Sequence, residues 1–180
     1  MTEGRWLLVL FVTLAVLSMG GGLLALLALG MADPHPAGPL RWHTDTPHDW
    51  PLVDAGGNHT FLAAPTGLPA PPFTLDLHAA NTGSPYSAWG LWIETESQPF
   101  IALIDNSGYV GLPDWQQFPH IQPDYTNRLT LDVGAVGQAV LRINDEIAWT
   151  GALAPGVSWG VILVDQPALR WHSINLYALD

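Results

Sequence analysis

The run Trp92-Ile93-Glu94-Thr95-Glu96 puts two carboxylates beside an indole. In an extended chain alternate side chains share a face, so Trp92, Glu94 and Glu96 line one side, with the carboxylates about 7 Å apart. Such a pair could perform glycoside hydrolysis, in which one carboxyl protonates the leaving oxygen and the other attacks the sugar or activates water. The retaining mechanism needs the pair about 5 to 5.5 Å apart across a sugar site, and no aspartate stands between or beside these two glutamates to tune them. The pattern therefore reads as two solvated glutamates at a strand end, and no catalytic residue is expected. Binding asks for less, namely an aromatic plate and hydrogen-bonding groups near it. Trp92, Tyr109, Trp115 and Trp149 are available plates, and Trp92, Glu94, Glu96 and Tyr109 form the candidate ligand-contacting set.

Other chemistries lack their residues. The chain has no cysteine, which excludes disulfides, thiolate-held iron–sulfur clusters and covalently attached haem. Its seven histidines show no ligand-like spacing; His43 and His48 lie in a loop. The turn Asp105-Asn-Ser-Gly-Tyr109 opens like a calcium loop but lacks the bidentate glutamate of an EF-hand, so it reads as a strand connection. No cofactor and no metal are expected. Asn58-His59-Thr60 fits the N-glycosylation pattern. There is no lysine, and the formal net charge is −11, with 14 of the 16 acidic residues in 41–180. That surface repels nucleic acid and anionic headgroups.

From Trp6 to Ala32 the chain carries no charge, and as a helix this run would be roughly 40 Å long, more than the roughly 30 Å of bilayer hydrocarbon and too long for the apolar region of a cleaved signal. A single transmembrane helix over 6–32 is expected, following a cytoplasmic stretch at 1–5. Arg5 is the only basic residue before it and Asp33 opens the other flank, which orients the N-terminus to the cytoplasm and places the rest outside the cell membrane, in the periplasm. Ser18, Gly21, Ala25, Ala28 and Ala32 fall at spacings of 3 and 4, with Gly22 beside them, a seam of small residues suited to packing against another helix in lipid. Residues 33–40, with three prolines and a glycine, form a stiff spacer.

Residues 41–180 must supply the positioning scaffold, and about 140 residues suit one domain. Their periodicity is two. Phe73, Leu75, Leu77 and Ala79 alternate with Thr74, Asp76 and His78; Leu129, Leu131 and Val133 alternate with Arg128, Thr130 and Asp132. Further strands are expected at 59–64, 86–94, 100–104, 139–143, 147–150, 158–164 and 173–179. Many short strands separated by Gly, Pro, Asn and Asp predict an all-β antiparallel sandwich. Its inside should hold Leu75, Leu77, Trp89, Leu91, Leu129, Leu131, Leu141, Ile143, Val161 and Leu163, which share one parity within each strand.

The stretch NRLTLDVGAVGQAVLRINDEIAWTG, Asn127 to Gly151, ends two alternating strands in an Asn144-Asp145 hairpin. With YSAWGLWIE before it, VSWGVILVD after it and HSINLYAL at the end, it resembles the laminin-G-like, concanavalin A-like jelly roll of many bacterial surface proteins. The resemblance covers about residues 71–180. It implies a jelly-roll fold and a superfold that includes sugar-binding modules and glycosidases. Asp145 stands where the family's hairpin usually has glycine, and Glu94 and Glu96 depart from the E-x-D-x-E and E-x-D-x-x-E patterns of its glucanases.

Two functional expectations follow. The first is a non-catalytic single-pass accessory subunit of a larger bacterial membrane complex, such as a respiratory or photosynthetic electron-transfer complex, with other membrane-protein subunits and the bilayer as partners. In it Trp50 and Trp115, flanked by prolines and acidic residues, would be buried against a neighbouring protein. The alternative is a membrane-anchored carbohydrate-binding or adhesion module.

Overall fold

The computed structural model describes Thr13, residues 36–96 and residues 98–179. The chain divides into two units, Met1–His35 and Pro36–Asp180. Of the first only Thr13, a helical residue, is described. The segment expected to span a membrane, with Ser18, Gly21, Gly22, Ala25, Ala28 and Ala32, lies outside the described residues; among the described residues no helix is long and apolar enough to cross a membrane.

The second unit is built from β1 (Leu40–Thr44), β2 (Leu52–Gly56), β3 (His59–Ala63), β4 (Phe73–Asn81), β5 (Ala88–Thr95), β6 (Phe100–Asp105), β7 (Tyr109–Leu112), β8 (Asp114–Gln117), β9 (Thr126–Val133), β10 (Gln138–Ile143), β11 (Glu146–Ala152), β12 (Gly156–Val164) and β13 (Leu169–Ala178). They form a six-stranded sheet in the order β1-β13-β4-β9-β10-β11 and a seven-stranded sheet in the order β2-β3-β12-β5-β6-β7-β8. The pairings are antiparallel, as for β4 with β9 and β5 with β12. The sandwich expected from period-two alternation is present. Its short strands β1, β2, β7 and β8 were not foreseen, since their four or five residues show no clean alternation of apolar and polar side chains.

The core lies between the sheets. Leu75, Leu77, Leu91, Leu129, Leu131, Leu141, Ile143 and Val161 are fully buried there, with Trp89 nearly so. Each such side chain contributes roughly 1.5 to 3 kcal/mol by leaving water. Leu163, near the end of β12, is only partly buried but packs against the same core. Trp42, Trp50 and Trp159 form a second part of it, with ring centroids 5.6 to 5.8 Å apart. Trp50 is therefore a core residue, 7% exposed, and not the exposed anchor expected from its flanking residues. Trp50 caps the 3-10 turn Pro47–Asp49, its amide donating to the Pro47 carbonyl and its own backbone extended. The spacer's last residues are tied down too, since Thr74 Oγ1 accepts from the Ala37 amide and Pro39 carbonyl accepts from the Ala178 amide.

The hairpin between β10 and β11 has positive φ at both Asn144 and Asp145, as a primed turn requires. Asp145 replaces the easier glycine because its carboxylate pairs with Arg128 at 3.0 Å. Arg128 Nε in turn donates to Asp76 at 2.8 Å, and Thr130 Oγ1 and His78 donate to the same carboxylate. Asp76 is nearly inaccessible on the outer face of the six-stranded sheet. Burial pushes its carboxyl up, but the hydrogen bonds and positive charge of His78 and Arg128 outweigh that and hold it well below the usual carboxylate range.

A carboxyl whose folded value lies below its unfolded value, about 4, stabilises the fold above that pH and loses this contribution as pH falls. Asp76→Asn should thus cost about 2 to 3 kcal/mol at pH 7, at the low end for a buried pair because Arg128 can turn to solvent. Denaturant titrations should show the gap from the parent narrowing below about pH 4. A pH-independent gap would contradict this account.

Candidate functional site

Antiparallel order fixes which loops meet. β3, β5 and β7 start, and β6 and β12 end, at one pole of the seven-stranded sheet. That pole therefore gathers the β2–β3 turn, the β4–β5 loop, the β6–β7 turn and the end of β12. The cleft it forms is about 510 Å³, lined by Asn58, His59, Tyr86, Asp105, Ser107, Tyr109, Trp115 and Asp165 above a floor of Leu103 and Val164. Leu103 belongs to the outward parity of β6, as its neighbour Ile104 enters the core.

The loops are held by asparagines. Asn106, at the edge of the cleft, donates to Gly83 carbonyl and to Asp124, and accepts from the Asp124 amide. Asn81 bonds Ser87 and the Gly83 amide, which fixes the loop carrying Tyr86. Asn127 and Asn144 do the same for residues 120–128. Side-chain amides that satisfy loop backbone in this way hold the loops in one conformation. Asp105 Oδ1 accepts from the Ser107 and Tyr109 amides, and its Oδ2 from the Ser107 hydroxyl. The Asp105–Tyr109 segment is the strand-connecting turn expected, and three of the roughly four acceptor sites of its carboxylate are used.

Trp115 is the largest exposed aromatic of the cleft, 49% accessible. It sits across the strand pair from Gly111. A methyl group at Gly111 would meet Cδ2, Cε2 and Cζ2 of the indole all at 3.3 Å, so the ring lies flat over this glycine with its other side open. Tyr109 and Tyr86 are also exposed. The arrangement offers flat apolar plates with a carboxylate, an amide, an imidazole and hydroxyls around them. A pyranose, with C–H groups on its face and hydroxyls on its rim, needs that combination.

Of the residues singled out from sequence, the structure brings Tyr109 and Trp115 together. Trp92 is elsewhere. Its indole lies across Gly160, donates to Leu62 carbonyl at 3.2 Å and meets Phe61 edge-on, within a small apolar cluster with Ala88, Ile162 and Val164. It is a structural tryptophan with no face to offer a ligand. Glu94 accepts a hydrogen bond from Ser158 Oγ, and Glu96 lies beyond the end of β5. Both are exposed and line neither this cleft nor its neighbour. Trp149 packs on Phe100 with centroids 5.1 Å apart, lining a second cleft. Sequence reasoning missed Asn58, His59, Tyr86, Asp105, Ser107 and Asp165. Their common signal is position: each is at or beside a strand end of the same pole.

No family model matches the chain, and no curated protein matches it in sequence. Solved structures do. The carbohydrate-binding module CBM66 from Bacillus subtilis superposes with a TM-score of 0.53 at 9% identity, covering 78% of this chain and 98% of that one. A protein with a galectin-like fold from Bacillus subtilis gives 0.51 at 11% identity over 78% and 96%. The carbohydrate recognition domain of Emp46p gives 0.51 at 10% identity over 72% and 82%. The sandwich is a concanavalin A-like, laminin-G-like jelly roll. These likenesses correct the expectation of an accessory subunit in an electron-transfer complex. These neighbours are described as carbohydrate-binding, carbohydrate-recognition and galectin-like domains, and none of them as a subunit of an electron-transfer complex. Of the residues on which that expectation drew, the N-terminal seam lies outside the described residues, Trp50 is buried in the core, and Trp115 is exposed at the cleft.

The different roles of the two tryptophans are measurable. Trp92→Phe should lower stability by about 1 to 2 kcal/mol through the lost hydrogen bond and packing, whereas Trp115→Ala should change it by less than about 1 kcal/mol. Equal losses in denaturant midpoint would contradict the assignment.

Proposed function

We propose that this protein is a non-catalytic carbohydrate-binding module whose jelly roll takes a sugar in the cleft of Tyr86, Tyr109 and Trp115. The observation that carries the reading is the flat seating of Trp115 over Gly111, which supports an open plate beside polar groups already fixed by the fold. Pyranose C–H groups would leave water against the indole while rim hydroxyls bond Asp105, Asn58, His59 and Asp165. Partial hydrogen-bond capacity remains at these residues, so hydroxyls lost from water regain partners. The fold likeness to carbohydrate-binding domains supports the same reading.

No lysine or arginine lines the cleft among the described residues, and two aspartates do. Uncharged glycans fit this field better than sulfated or uronic ones. Binding without cleavage is the consistent outcome, because Glu94 and Glu96 line neither cleft and Asp105 is engaged by its own turn. The apolar run 6–32 supports display of the module outside the cytoplasm, held at a membrane.

A glycan array probed with the full-length protein should show retention of neutral glycans, with Trp115→Ala weakening binding by about tenfold or more, since a central aromatic plate carries much of such an interface. Gly111→Ala should weaken it less, by tilting the ring. Trp92→Phe should leave it unchanged. Retention unaffected by Trp115→Ala would overturn the proposal, as would release of reducing ends from a retained glycan for its non-catalytic part.

A further inference from the structure

The two ends of the sandwich differ in charge. At the end opposite the sugar cleft β1 and β4 begin and β9, β11 and β13 stop. There β3 stops and β12 begins as well, joined to the six-stranded sheet by the connections 64–72 and 153–155. These two connections, residues 36–39 and the β9–β10 turn at 134–137 contain no Asp, Glu, Lys, Arg or His. Glu94, Glu96 and Asp114 stand at the same end but on its β5–β8 side. The cleft end, by contrast, carries Asp105, Asp124, Asp145, Glu146 and Asp165 at its loops and strand ends.

Apolar side chains project from the uncharged end. Val136, in its turn, is 85% exposed, and Leu40 and Leu179 are more than half exposed. Neighbouring strands lie about 5 Å apart, so the three fall within about 17 Å of one another along the end of the six-stranded sheet. Arg41 lies at the rim, its Nε donating to Ala178 carbonyl at 3.1 Å. An apolar end with a cation at its rim suits the boundary between acyl chains and headgroups, where apolar side chains leave water and an arginine meets phosphate.

Chain connectivity names the occupant. The domain's chain enters at this end, where the Ala37 amide donates to Thr74 Oγ1 and Pro39 carbonyl accepts from the Ala178 amide. Only residues 33–35 separate it in sequence from the apolar run 6–32, a link of at most about 14 Å between Ala32 and Pro36. We infer that the uncharged end seats on the surface of a lipid bilayer, with Leu40, Val136 and Leu179 among the headgroups. The sugar cleft, about 30 Å away along the nine residues of β4, then opens away from that membrane. Its ligand would be a glycan presented from outside, and not the headgroup of a glycolipid in the same bilayer. This rests on the reading of the run 6–32 as held in a membrane.

The chain has no cysteine, so single-cysteine variants of the full-length protein can each carry one bimane label in phosphatidylcholine nanodiscs. Thr13→Cys reports on the run 6–32, and Val136→Cys and Leu179→Cys on the uncharged end. Tyr125→Cys reports on the other end, in the loop that Asn106 ties to the cleft through Asp124. Brominated phosphatidylcholine should quench a large part of the emission at Thr13, Val136 and Leu179. Tyr125 should keep its emission with that lipid and lose it to aqueous iodide. Labels at Val136 and Leu179 that answer to iodide as Tyr125 does would overturn the inference, and lipid quenching at Thr13 would then leave the membrane reading standing. Lipid quenching at Tyr125 would overturn it as well, since the cleft end would then meet the bilayer. Val136 and Leu179 shielded from both quenchers would assign the end to a protein, a second copy of this chain included, and overturn it too. If lipid does not quench Thr13, the membrane reading itself fails and this inference fails with it.

Discussion

Two sheets can share one dry core only if each strand keeps one parity turned inward between its bulges, as β13 does on either side of the irregularity at Trp171–Ser173. Leu75 and Leu77 on β4, Leu129 and Leu131 on β9, Trp89 and Leu91 on β5, and Ile104 and Val110 on β6 and β7 satisfy that constraint, all at or near zero exposure. A slip of one residue in β6 would put Leu103 and Asp105 into the core and expose Ile104. The outward set is thereby fixed as well. Leu103, Asp105, Tyr109 and Gly111 face out because their neighbours must face in, and Trp115 can lie flat only because register places it opposite Gly111. The clefts are a consequence of core packing, with no separate scaffold.

Register alone would leave loops to wander, and the asparagines at the pole remove that freedom. Asn81, Asn106 and Asn127 are buried; the first two satisfy Gly83 in the loop that carries Tyr86, and the third satisfies Gln122 in the loop before β9. Leaving such groups unpaired would cost about 1 to 3 kcal/mol each, so the amides both stabilise the loops and select one conformation for them. At the opposite face of the sandwich, Asp76 joins β4 to β9 and to the β10–β11 hairpin through Arg128 and Asp145. Both devices are polar and both are local. They explain how a domain without cysteine holds irregular segments in place.

The alternation of Phe73 to Ala79 and of Arg128 to Val133 made the central strands and most of the core legible, because long strands with one face in the apolar core and hydrogen-bonded polar side chains on the other write period two into their sequence. The jelly-roll resemblance was legible for the same reason, in a segment where hairpin and strands follow one another without interruption. The short strands β7 and β8 escaped, and with them the partnership of Gly111 and Trp115, which exists only across strands. Trp50 and Trp92 were misjudged from their sequence neighbours: flanking prolines and carboxylates describe the backbone near a ring, not where the ring goes. Tyr86, His59 and Asp165 are far apart in the chain and meet only because strand order brings their ends to one pole. Sequence carries strand direction, but the order within a sheet of non-local pairings is set by packing.

In the proposed function Trp115 is the plate against which a sugar would lie. Saturation-transfer difference NMR of the full-length protein with a pool of neutral glycans, irradiating aromatic protons, tests it most directly. The predicted result is transfer to C–H protons on one face of a pyranose, lost in Trp115→Ala. Absence of transfer to every glycan, or transfer that survives Trp115→Ala, would contradict it.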